Sequence, residues 1–146
     1  MAKFPTHDQI LAMPLRKQAV AWEEARHRSR LKDLQKADAA LALLEAEHAA
    51  LKAAGYTLYG SQVDGRFFDR GAISISTSSV FDADARLYKA LLVVGFKEVE
   101  RDESIWTRIT LKKGRLRVRI SIDAKALARI EAENTSEPAA TSAEAA

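Results

Sequence analysis

The sequence predicts an α+β fold: a long N-terminal helix, coiled-coil-like in its second half, then a small antiparallel sheet domain with one or two packed helices. Three observations carry this reading. No Gly or Pro falls between Leu15 and Ala54, so nothing in the local chemistry interrupts a helix there. From Ile105 to Ile122 apolar and polar side chains alternate with period two on both sides of Lys113-Gly114, the pattern of a half-buried hairpin. Between Asp82 and Gly95 the apolar residues recur at helical spacing instead.

Taken in order, Thr6-His7-Asp8-Gln9 matches a capping box, in which Thr6 and Gln9 satisfy each other's free amides. A short helix to about Ala12 follows. Pro14 fits the first turn of a second helix, where its missing N–H costs nothing. That helix is expected to run about 40 residues, or about 60 Å, to Gly55 as a C-terminal cap. Its first half is polar, with Glu24 and Arg28 four apart and placed to pair. In its second half Leu34, Leu41 and His48 alternate with Ala37, Leu44 and Leu51 in heptad register. Such a stripe needs a partner, so Leu34, Leu41, Leu44 and Leu51 are expected to drive self-association or to dock on the following domain.

Gly60, Asp64-Gly65 and Gly71 mark turns around short strands between Tyr56 and Arg70. Ala72–Thr77 alternates as a strand with Ile73 and Ile75 inward. Ser79 or Asp82 is placed to cap a helix whose Ala83, Leu87, Ala90, Leu91 and Val94 share one face, and Gly95 ends it. Strands are expected at Phe96–Arg101, Ile105–Lys112 and Arg115–Ile122, with a polar turn at Asp102-Glu103-Ser104. Asp123 precedes a short helix near Ala124–Ala132. The organisation expected is a helical arm (1–55), an α+β domain (56–132) and a disordered polar tail (133–146).

Composition narrows the function. The chain has no cysteine, which excludes disulfides, thiolate nucleophiles and cysteine-ligated zinc. No apolar run approaches 18 residues and no leader-like stretch opens the sequence, so a cytoplasmic protein without membrane partners is expected. The net charge of +3 hides an asymmetry. Residues 14–36 carry seven Lys/Arg against three acids, and residues 105–119 carry six Lys/Arg and no acid.

The hairpin concentrates that charge. With Lys113 and Gly114 as its central residues, Lys112 pairs with Arg115, Thr110 with Arg117, Arg108 with Arg119 and Trp106 with Ser121. One face is then apolar and the other collects Trp106, Arg108, Lys112, Arg115, Arg117 and Arg119. Opposed like charges cost a few tenths of a kcal/mol per pair, and an anionic partner offsets that. Arginine suits bidentate phosphate or carboxylate contacts, and an indole stacks on bases. Acids at Glu98, Glu100, Asp102 and Glu103 offer the blander outcome, a face neutralised from within. Arg26, Arg28, Arg30 and Lys32 form a secondary basic patch on the helix.

The leading expectation is a non-enzymatic binding protein whose basic face engages nucleic acid. The alternative partner is an acidic protein surface, with the chain a protein–protein module from a virus or mobile element, such as an inhibitor of a host nucleoprotein complex or an assembly factor. A metal-dependent nuclease ranks third, on Asp102 and Asp123-Ala124-Lys125. His7, His27 and His48 lack a second ligand at helical spacing, and Asp82-Ala83-Asp84 reads as first-turn acids, so no metal or cofactor is expected. The order helix, three strands, helix from Ala83 to Ala132 has the outline of a double-stranded-RNA-binding domain. That family's basic helix start is not found at Asp123-Ala-Lys-Ala, so no function is read from the outline.

Overall fold

A computed structural model of the chain describes residues 3–64, 72–77, 82–104 and 106–136. The turns expected at Gly65 and Gly71, the Ser79 cap, the strand start at Ile105 and the tail from 137 onward lie outside the described residues.

The helices open as foreseen and then depart. α1 (His7–Leu11) carries the capping box: the Gln9 amide donates to Thr6 Oγ1 at 3.3 Å and the Thr6 amide to Gln9 Oε1 at 2.9 Å. Pro14 stands one position earlier than expected, preceding α2 (Leu15–Lys36). α1 folds back on α2. His7 meets the Trp22 ring edge-on at 5.1 Å, the Arg28 guanidinium sits 3.9 Å over Phe4, and Gln18 Nε2 donates to the Leu11 and Met13 carbonyls.

The expected 40-residue rod does not form. α2 is 22 residues long, and α3 (Asp38–Ala46) and α4 (His48–Ala53) follow after breaks at Ala37 and Glu47. Both break residues have φ near −89° and ψ near zero, and no Gly or Pro marks either. Tertiary packing supplies the reason. Leu44 and Leu51 are buried in the same core as the strands, with Leu34, Ala40 and Leu41 packed against it. A straight helix cannot lay all of these on one small domain, so the segment bends around it. The heptad stripe is therefore used within the chain, and a coiled-coil arm is not seen.

The sheet has five strands in the order β1-β2-β5-β4-β3: β1 (Val63–Asp64), β2 (Ala72–Ile75), β3 (Lys97–Glu103), β4 (Thr107–Lys113) and β5 (Leu116–Ile122). It is mixed rather than antiparallel, because β2 runs parallel to β5. α5 (Ala83–Val94) makes the crossover from β2 to β3 at the far edge. Gly95, at φ +108°, closes α5 in a Schellman motif: the Phe96 amide reaches the Leu91 carbonyl and the Gly95 amide reaches Leu92. Gly55 ends α4 the same way, and each glycine is followed by a buried aromatic, Tyr56 or Phe96.

α6 (Ala124–Ser136) overruns the expected tail boundary, since residues 133–136 are helical and Glu133 Oε2 pairs with Lys89 Nζ at 2.8 Å. α3, α4, α5 and α6 supply Leu44, Leu51, Leu87, Leu91, Leu127 and Ile130 to one core with Ile73, Ile109, Leu111, Val118, Ile120 and Ile122 of the sheet. Among the described residues no helix is long and apolar enough to cross a membrane.

Candidate functional site

Alternation along β4 and β5 divides the hairpin as expected, but the pairing differs. The observed partners are Arg108 with Ser121, Thr110 with Arg119, Lys112 with Arg117 and Lys113 with Leu116. The turn is therefore centred on Gly114 and Arg115. Gly114 takes φ +60° while Arg115 is not among the residues of positive φ. A two-residue turn with Gly at its first central position has the form of type II′, whose twist suits a hairpin. The expected turn, with Gly second, would require positive φ at Lys113. The slide changes each partner by two residues, so every side chain keeps its face.

Ile109, Leu111, Val118, Ile120 and Ile122 face the helices and are buried. The opposite face presents Arg108 on β4, with Lys112, Arg117 and Arg119 half-buried beside it and Arg115 exposed in the turn. Arg119 Nε donates to the hydroxyl of its cross-strand partner Thr110 at 3.5 Å. On the neighbouring strands Lys97 stands opposite Lys112, Ser74 opposite Arg119 and Ala72 opposite Arg117. Acids stand on this face at both edges, Asp102 across from Arg108 and Glu100 across from Thr110 on the β3 side, and buried Asp64 of β1 across from Ser74 on the other. Among the described residues no salt bridge joins an acid to Arg108, Lys112, Arg115, Arg117 or Arg119.

The other acids are drawn to the opposite side. A register irregularity between Glu98 and Glu100 inserts Val99 into β3, and such a bulge reverses the alternation beyond it. Glu98 and Arg101 thereby fall on the same, helix-facing side. Arg101 donates through Nη2 to Glu98 at 2.8 Å and through Nη1 to Glu131 of α6 at 2.7 Å. The Tyr88 hydroxyl donates to Glu98 at 3.3 Å. Arg101's hydrogen bonds hold the Glu98 carboxyl below the usual carboxylate range, against the opposing effect of burial. The same contacts raise Arg101, while burial first and Glu98 second raise Tyr88. Lys113, on the helix side, meets Glu47 at 2.9 Å and ties the hairpin end to the α3–α4 break.

Trp106 lies just before β4 and is half exposed. It walls a cavity of about 290 Å³ with Ser74, Ser121, Thr77 and Asp84. Asp84 does more than sit in a helix's first turn, because its carboxylate bridges two elements: Oδ1 accepts from the Ala85 amide at 2.8 Å and Oδ2 from the Asp123 amide at 3.1 Å. Asp82, the expected cap, has φ +52°, makes no capping bond, and faces Arg129 at 3.5 Å. Gln62 is a second contributor that no pattern flagged. It bonds Tyr59 and Tyr56 through its side chain and receives the Ser76 amide at its carbonyl.

The secondary patch divides. At 100° per residue, Arg26 and Arg30 point to one side of α2 and Arg28 and Lys32 to another. Arg26 pairs with Glu23, and Arg28 rests on Phe4 instead of pairing with Glu24. His48 Nε2 bonds the Leu58 carbonyl at 3.0 Å. Among the described residues no three His, Asp or Glu side chains converge where a metal ion would sit.

No protein-family model, curated protein or solved structure matches this chain.

Proposed function

We propose that the chain is a nucleic-acid-binding protein that uses the basic face of its sheet, opposite the helices. The observation that supports this reading is the side opposite the helices, where Arg108, Lys112, Arg117 and Arg119 gather with no salt-bridge partner among the described residues. A row of guanidinium groups on a rigid sheet engages a phosphate backbone through charge and paired N–H donors. It carries little sequence readout, because phosphates are alike along the strand. Arg101, Lys89 and Lys113, whose charges are met by acids, have no part in it.

A second reading is a protein–protein module, favoured by the α1–α2 hairpin, on which Leu15, Val20 and Leu31 remain exposed. Equilibrium binding of labelled DNA and RNA across a salt series separates the two. The proposed function predicts that log affinity falls linearly with log salt, and that each arginine removed lessens the slope by about 0.7–0.9. A protein that captures neither nucleic acid at low salt is the outcome that refutes it.

A further inference from the structure

We propose that the cavity beside Trp106 receives one unstacked base, which makes the ligand a single strand; this rests on the nucleic-acid reading above. β2 and β5 run parallel and finish at the same end of the sheet, at Ile75 and Ile122. The cavity lies beyond those ends, with Trp106 as an apolar wall and Ser74, Ser76, Thr77, Ser121 and Asp84 supplying polar edges. Its volume of about 290 Å³ stands at the bottom of the range of roughly 300–1,000 Å³ that holds drug-sized ligands, so it suits one ring system and not a base pair.

The arginine row leads into it. Ser121 is the cross-strand partner of Arg108, and Ser74 is the partner of Arg119. Along β5, Arg117, Arg119 and Ser121 follow one another at about 7 Å, a step commensurate with one phosphate per nucleotide of an extended strand. A strand held on Arg117 and Arg119 therefore delivers its next base to the indole. The hydroxyls rotate to donate or accept, so the lining tolerates different bases, as stacking platforms do. Asp84 is fixed by two main-chain amides and retains free lone pairs for a donor edge. In a duplex the bases are paired and stacked and cannot enter.

The test uses the full chain carrying Trp22→Phe, so that emission reports Trp106 alone. The probes are a thymidine homopolymer of about a dozen nucleotides, an abasic strand of equal length, and a duplex of equal length. The homopolymer is expected to quench Trp106 and to bind more tightly than the other two at equal salt. Trp106→Ala should weaken homopolymer binding roughly 5- to 150-fold while duplex binding and the salt slope stay unchanged. Trp106→Phe should restore most of the loss. Equal binding of all three probes without quenching would overturn the base pocket and leave the phosphate-binding face standing. Absence of binding to any probe would overturn both.

Discussion

The two faces of β4 and β5 are written by interleaved residues of the same strands, yet different forces decide them. On the helix side Ile109, Leu111, Val118, Ile120 and Ile122 are removed from water, each burial stabilising by about 1.5–3 kcal/mol. On the opposite side Arg108 is exposed, Lys112, Arg117 and Arg119 are half-buried, and Lys112 stands across from Arg117. The first face explains why the sheet exists. The second gathers like charge, Lys97 across from Lys112 and Lys112 across from Arg117, against a small electrostatic cost. A surface of that kind is explained by what it meets, not by what it holds together.

Disrupting the helix side should give the largest effect. Leu44→Lys places a charge in the core that α3 shares with the sheet. It is expected to cost about 4 kcal/mol or more in urea unfolding. Mass by light scattering then sharpens the role of the stripe: an unchanged mass fits packing within the chain, and a lower mass would show that Leu34, Leu41, Leu44 and Leu51 also join subunits.

A smaller loss is expected at the junction between the faces. Asp84→Ala leaves the amides of Ala85 and Asp123 without their acceptor, at a cost of about 1–3 kcal/mol. Asp84→Asn, which keeps one carbonyl oxygen, should lose less. Equal stability of the alanine variant and the wild type would show that the bridge is dispensable.

The edge network comes next. Arg101's hydrogen bonds lower the Glu98 pKa in the folded state. Its contribution is therefore present above the unfolded value of about 4.3 and is lost as pH falls through the folded one. Glu98→Gln should cost about 1 kcal/mol at pH 7, and the two proteins should converge in melting temperature as pH falls through the lowered folded value. A constant difference at every pH would contradict this linkage.

How much of this was legible in the sequence follows from the range of the forces involved. Local chemistry was readable: the Thr6–Gln9 capping box, the glycine ends at Gly55 and Gly95, and the in–out alternation of the hairpin all appeared where expected. Features set by distant partners were not. The bends at Ala37 and Glu47 come from packing on the sheet, and the β3 bulge that turns Glu98 and Arg101 to one side leaves no compositional mark. The parallel β2–β5 pair depends on the α5 crossover. The hairpin register was readable in principle, since a lone Gly at the first central position of a turn signals type II′. For the candidate face, Arg108, Lys112, Arg117 and Arg119 were foreseen together, whereas the cavity joining Trp106 to Asp84 unites elements far apart in the chain.

The smallest effect on folding is expected at the basic face, where nucleic acid would bind. The Arg108→Gln, Arg117→Gln, Arg119→Gln triple variant should unfold within about 0.5 kcal/mol per substitution of the wild type. Its affinity for nucleic acid, measured by anisotropy over a salt series, should fall, and the slope of log affinity against log salt should shrink by about 0.7–0.9 for each phosphate no longer neutralised. A triple variant that binds nucleic acid with the affinity and salt slope of the wild type would show that these arginines do not hold the phosphates.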